Sequence, residues 1–118
     1  MPHLVIEYSQ KLEDTHSIAA LVSNGQQAMC DTGLFTPSAI KTRALPYRDF
    51  VLGKRHEGSS NQFIHAEVRI LEGRTKEQKE ALSAAIFNYL CEAAPDVAEI
   101  SVEVREMEKA SYSKRIPF

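Results

Sequence analysis

At 118 residues, with 43% apolar and 25% charged side chains, the chain has the size and makeup of one globular domain with a hydrophobic core of its own. That balance excludes a disordered or low-complexity chain. With 14 basic against 16 acidic side chains the net charge is −2, which leaves no bulk attraction for a phosphate backbone or an anionic lipid surface. No nucleic-acid partner and no membrane partner is expected.

The first predicted element is a strand at Leu4-Val5-Ile6-Glu7-Tyr8, closed by Ser9-Gln10. Asp14 and Thr15 are the caps expected for a helix in which Ile18, Leu21, Val22 and Met29 recur at helical spacing, with Gly33 as the stop after Asp31-Thr32. Gly25 inside that helix costs about 1 kcal/mol relative to Ala, so a close approach by a neighbouring element is expected there. Next, Ile40, Thr42 and Ala44 face one way and Lys41 and Arg43 the other, in a half-polar strand that Pro46 is expected to interrupt. Tyr47 to Gly58 reads as an excursion with a short edge strand at Phe50-Val51-Leu52. Ile64, Ala66, Val68 and Ile70 alternate with Phe63, His65, Glu67 and Arg69 as a third long strand, and Gly73-Arg74 turns the corner. Thr75 with Gln78 fits a capping box for a helix whose apolar stripe is Leu82, Ala85, Ile86, Tyr89 and Leu90 and which ends before Pro95. Ile100, Val102 and Val104 make a last strand, followed by a polar tail from Lys109 to Phe118.

In order this is strand, helix, strand, twice over, with the break near Gly58-Ser59-Ser60-Asn61 and halves of about 1–58 and 59–118. The fold class is α+β: two β-α-β units whose right-handed crossovers put both helices on one face of a four-stranded mixed sheet. The other face would expose Phe63 with Val or Leu from the first strand, too apolar for water, and so predicts a subunit interface.

Cys30 and Cys91 stand alone and are expected to be reduced, buried and inert. No run approaches 18 consecutive apolar residues, and Met1-Pro2-His3-Leu4 lacks the basic start of a secretion signal, so a cytoplasmic location is expected. Nucleophile-elbow, phosphate-loop and zinc-helix spellings are missing. His3, His16, His56 and His65 are scattered without ligand spacing, so surface or hydrogen-bonded roles are expected and no metal. What remains is Pro2. Methionine before so small a residue is normally removed, and the proline would then present a secondary amine, a base that needs no side chain. The alternative is a proline merely tolerated at the first position of a strand.

The opening Pro2-His3-Leu4-Val5-Ile6-Glu7-Tyr8-Ser9, the Thr32-Gly33-Leu34-Phe35 turn, the Ile40-Lys41-Thr42-Arg43 strand and the Gly73-Arg74-Thr75 corner resemble the 5-carboxymethyl-2-hydroxymuconate delta-isomerases. These belong to the tautomerase superfamily, with 4-oxalocrotonate tautomerase and macrophage migration inhibitory factor. The likeness also takes in Phe63-Ile64-His65 and Ile100 to Glu106; the order and spacing of these pieces carry it rather than any one motif. It implies the tautomerase fold, a homotrimer with three sheets in a central barrel, and sites near subunit boundaries. It also implies a cofactor-free proton shift on a polycarboxylate, in the catabolism of aromatic acids such as 4-hydroxyphenylacetate and homoprotocatechuate.

Carried over by position, Pro2 is the general base, and Arg43 and Arg74 are ligands or polarisers of substrate carboxylates, a task that suits the planar guanidinium fork. Lys41 stands where relatives have an arginine, which leaves the substrate open. The N-terminal amides of the second helix would favour an anion in the same region. The tail from Tyr112 to Phe118 departs most from the family and is expected to alter the pocket wall. Two other classes stay open: another proline-dependent reaction such as decarboxylation, hydration or dehalogenation, and a non-catalytic trimeric binding module.

Overall fold

The computed structural model describes residues 1–53 and 60–117. His56 and the Gly58-Ser59 part of the expected break lie outside the described residues, as does Phe118. Two parallel strand pairs meet antiparallel at the centre of one sheet: β1 (His3–Ser9) with β2 (Lys41–Tyr47), and β3 (Ser60–Leu71) with β4 (Val97–Met107), in the order β2-β1-β3-β4. Helices α1 (Ile18–Asp31) and α2 (Lys76–Ala93) are the two crossovers and pack on each other. The alternation of each strand decides which side they cover. Leu4, Ile6 and Tyr8 of β1 and Ile64, Ala66, Val68 and Ile70 of β3 are buried beneath Leu21 and Met29 of α1 and Leu82, Ile86 and Leu90 of α2.

α2 begins as its sequence spells it. Thr75 Oγ1 accepts from the Gln78 amide at 3.1 Å and the Gln78 carboxamide accepts from the Thr75 amide at 2.9 Å. That box occupies two of the free donors, so the helix end has less left to offer an anion than an uncapped terminus would.

Gly25 sits where α1 comes closest to the sheet. A Cβ there would lie 3.3 Å from Leu4 Cδ2 and 3.6 Å from the Tyr89 ring, and the Tyr89 hydroxyl donates to the Leu21 carbonyl at 2.6 Å, tying the helices together at the same level. The helix-propensity cost of the glycine is therefore offset by contact. Gly25→Val is expected to destabilise the fold by about 1–3 kcal/mol through overpacking, read as an earlier midpoint in urea unfolding.

Several expectations are corrected. The cap of α1 is Ser17, whose hydroxyl accepts from the Ala20 amide at 3.1 Å. Asp14 instead closes a 3-10 turn, Gln10–Asp14, that drives Leu12 into the core, and Thr15 follows it. Pro46 does not interrupt β2 but lies within it, opposite Tyr8, because β2 is an edge strand and a missing N–H costs nothing on its open side. Phe50-Val51-Leu52 is not a strand; Phe50 turns in to meet the Phe63 ring edge-on at 4.9 Å. Cys30 and Cys91 are free and half-buried rather than buried.

The uncovered sheet face also differs from expectation. Val5 is only 7% exposed there, and Phe63 is packed against Tyr47 and Phe50. Charged side chains line the face instead: Arg69 pairs with Glu67 and Arg105 with Glu103, each within one strand, and His65 Nε2 lies in hydrogen-bond contact with Glu103 of the next strand at 2.9 Å. Long charged side chains thus cover the small apolar ones with their stems. Among the described residues no helix is long and apolar enough to cross a membrane.

Candidate active site

The start of β1 is where the predicted basic residues gather. Pro2 is buried, and its carbonyl accepts from the Lys41 amide at 3.1 Å, so parallel pairing sets Lys41 beside it. The neighbouring turn of α1 fixes that end of β2: Thr42 Oγ1 donates to the Gln26 carboxamide at 2.6 Å, and Gln26 donates to the Ile40 carbonyl at 3.2 Å. Because β3 runs antiparallel to β1, with His3 opposite Arg69, the β3–α2 corner comes to the same end. Gly73 makes that corner at φ +122°, a conformation that L side chains rarely adopt. Arg74, next in the chain, donates from Nη2 to the Leu34 carbonyl at 2.8 Å, and its guanidinium lies 4.8 Å over the Phe35 ring. A hydrogen bond and a cation–π contact thus hold it from the turn after α1.

Electrostatics report where these charges converge. The Met1 amino group is pushed below its usual value, first by partial burial and then by the charges of Lys114, Arg74 and Lys41. Two of the three were singled out in the sequence; Lys114, from the tail, was not. Arg43 takes another course. It shares a sheet face with Lys41, but its guanidinium donates to His3 Nδ1 at 3.0 Å, and its charge bears on His3. Burial, then Arg43, Lys41, Arg69 and the amino terminus push the His3 imidazole below its ordinary value. A cavity of about 510 Å³ lined by Lys11, Tyr47, Arg48, Phe50 and Gln62 lies at the other end of β1, about 20 Å away by strand length, and takes no part in this cluster.

A family model described as 5-carboxymethyl-2-hydroxymuconate isomerase matches residues 2–117. The chain belongs to the 5-carboxymethyl-2-hydroxymuconate isomerase family. It is thereby an isomerase of the tautomerase superfamily. A 5-carboxymethyl-2-hydroxymuconate isomerase from Deinococcus radiodurans R1 is similar in structure at a TM-score of 0.82 and 25% identity, covering 97% of this chain and 88% of that one. A 5-carboxymethyl-2-hydroxymuconate delta-isomerase follows at 0.78 and 17%, covering 98% and 88%, and a fused 4-OT symmetric trimer at 0.71 and 18%, covering 95% and 90%. No curated protein sequence matches the chain.

The four-stranded mixed sheet with two helices on one face is the fold of these isomerases and their superfamily relatives. Within it, Pro2, Lys41 and Arg74 come together. Arg43 is adjacent but engaged with His3. Phe35 was legible only as part of a turn motif, and its use as the platform under Arg74 required the fold. The signal for Lys114 was the tail's departure from the family, which marked the segment without marking the residue.

Proposed function

We propose that, once Met1 is removed, this single-domain isomerase ketonises 5-carboxymethyl-2-hydroxymuconate without a cofactor, with the Pro2 amine as general base. The amine takes the proton of the 2-hydroxyl. The electron pair moves through the dienol, the carbonyl forms at C2, the C3–C4 bond becomes double, and a proton is delivered to C5, giving the conjugated 2-oxo isomer. Arg74 and Lys41 hold carboxylates and stabilise the charge of the dienolate, and Arg43 serves from the sheet side through its place beside His3. The observation that carries this is that Lys41, paired to Pro2, and Arg74, fixed at the β3–α2 corner, stand at the buried start of β1, where burial first and cations second hold the amino end below its usual value. Burial and cations disfavour the charged amine, so the same arrangement binds anions and keeps the base neutral.

Retention of Met1 would leave the Pro2 nitrogen in an amide, its lone pair delocalised and not basic. Intact mass of the natively expressed protein is therefore the first check, and a mass that includes Met1 would remove the proline mechanism. The second is ultraviolet monitoring of 2-hydroxymuconate and its carboxymethyl analogue; no ketonisation of either would overturn the assignment. Lys41, where relatives carry an arginine, favours one other reading, a different proline-dependent reaction of the superfamily, which would appear as turnover of neither dienol but of another unsaturated acid.

The assembly proposed is a homotrimer with sites near subunit boundaries, in keeping with the trimeric fused 4-OT and with a sheet face that no helix covers. Its setting would be cytoplasmic catabolism of aromatic acids such as 4-hydroxyphenylacetate and homoprotocatechuate.

A further inference from the structure

After β4 the chain does not leave the molecule. The Lys109 amide donates to Glu72 Oε1 at 2.9 Å, and the Glu72 amide to the Met107 carbonyl at 3.3 Å, so the tail is stitched to the corner that carries Gly73 and Arg74. A 3-10 turn, Lys109–Ser111, then leads to Tyr112. From 108 to 117 every residue except Tyr112 is exposed. Tyr112, half-buried, sets its ring near-perpendicular to that of His3, centroids 6.1 Å apart, with its hydroxyl 2.9 Å from His3 Nε2. One side chain thus anchors the tail, on the residue next to Pro2.

His3 is gripped from its other side as well. In the sheet it stands opposite Lys41 on β2 and Arg69 on β3, and Arg43, two residues beyond Lys41, shares the same face. Arg69 is engaged by Glu67, and Lys41 reaches back to the Ala39 carbonyl at 3.4 Å. Arg43 is the cation that turns to the ring, its Nη1 3.0 Å from Nδ1. A guanidinium can only donate, so Nδ1 must accept, and the single proton of the neutral imidazole sits on Nε2. Burial and the surrounding cations oppose a second one. His3 therefore donates to the Tyr112 hydroxyl, and the bonds run in one sense from Arg43 through His3 to Tyr112. Both ring nitrogens are engaged, so His3 has no lone pair free to act as a second base beside Pro2.

We propose that Tyr112 is a positioning residue of the site: by accepting from His3 it fixes the plane of the imidazole, and the imidazole holds the Arg43 guanidinium in place for a carboxylate. The proposal rests on the part given to Arg43 above and adds the device that orients it. Arg43 lies exposed on an edge strand, where a free arginine would sample many rotamers and lose that freedom on binding. One donor bonded to Nδ1 removes much of that loss beforehand and leaves the rest of the fork for an anion. Tyr112 touches no substrate and acts through His3 and Arg43.

Nitrogen-15 NMR at neutral pH tests the device without turnover. His3 is expected as the Nε2–H tautomer, and the Arg43 guanidinium is expected to show restricted rotation that Y112F releases. A proton on Nδ1, a freely rotating Arg43 in the wild type, or an Arg43 that Y112F leaves unaltered would overturn the proposal. Calorimetry with glutarate, an unreactive dicarboxylate, reads what the device does for binding. Y112F is expected to weaken glutarate about three- to tenfold, the scale of one hydrogen bond. The Y112F/R43Q double variant should bind no worse than R43Q alone, because Tyr112 acts through Arg43. H3Q, whose carboxamide keeps an acceptor and a donor, should recover most of the binding that H3L loses. Absence of glutarate binding in the wild type, no loss in Y112F, additive losses or no rescue by H3Q would each overturn the proposal. In ketonisation Y112F should raise KM with kcat little changed. If the wild type turns over neither dienol, the reaction above fails, while the NMR and the glutarate cycle still decide the part of Tyr112.

Discussion

Pro2→Ala is expected to lower the rate of ketonisation by about 10²- to 10⁴-fold, the range over which a positioned general base acts. The alanine amine that replaces the proline remains a base, so residual activity above the uncatalysed rate is expected. The loss should fall mainly on kcat, because Lys41, Arg74 and the sheet that positions them are untouched and substrate is still held. The fold should scarcely notice: Pro2 precedes β1, and its carbonyl, which accepts from the Lys41 amide, is kept in alanine. An unchanged rate would remove Pro2 as the base. The pH profile gives a second readout. Only the neutral amine accepts a proton, so the acid limb of kcat/KM reports the base in the free enzyme. Burial and nearby cations, which lower the Met1 amine, act in the same sense on an amine one residue inward. The limb should therefore lie below the ordinary range for an α-amino group, and Lys41→Gln should move it upward, since removing a cation makes protonation easier.

How far the sequence reached follows from where its periodicities were strong. β3 and α2 have unbroken alternation and an unbroken stripe, and the Thr75–Gln78 box marked the start of α2. The start of α1 was misplaced because Asp14, Thr15 and Ser17 are all good caps, and what chose among them was Leu12. Its burial required a 3-10 turn before the helix could begin. Pro46 misled for a related reason, since tolerance of proline depends on strand order and no local pattern carries that. The polar sheet face was misjudged because Phe63 and Val5 were weighed without the charged neighbours of Val5, which stands opposite the ion-paired Glu67, and without the aromatic pair that receives Phe63.

The site divides in the same way. Strand alternation put Lys41 and Arg43 on one face, but not their separate destinations, which are decided by a histidine on the neighbouring strand. Lys114 lies in a tail without periodicity, and it is Tyr112, two residues before it, that meets His3 of β1. Sequence pattern thus reached what depends on spacing within an element and missed what depends on one element capturing another.

Arg74→Ala is the second large effect, an expected loss of about 10²- to 10³-fold in kcat, the scale seen when a donor aimed at developing negative charge is removed. Arg74 stands on a glycine at φ +122°, is bonded to the Leu34 carbonyl and lies over Phe35, so its guanidinium is oriented before substrate arrives. Preorganisation of that kind favours the dienolate over the neutral dienol, and kcat should fall along with kcat/KM. Arg74→Lys should recover only part of the rate, because an ammonium keeps the charge but loses the planar fork and the stacking on Phe35. Both substitutions should be distinguishable by pH. Alanine removes one of the cations acting on the amino end and should raise the acid limb, whereas lysine should leave it nearly in place. Equal shifts in the two variants would mean that Arg74 acts through the local fold and not through its charge, and a full rate with alanine would take Arg74 out of the site.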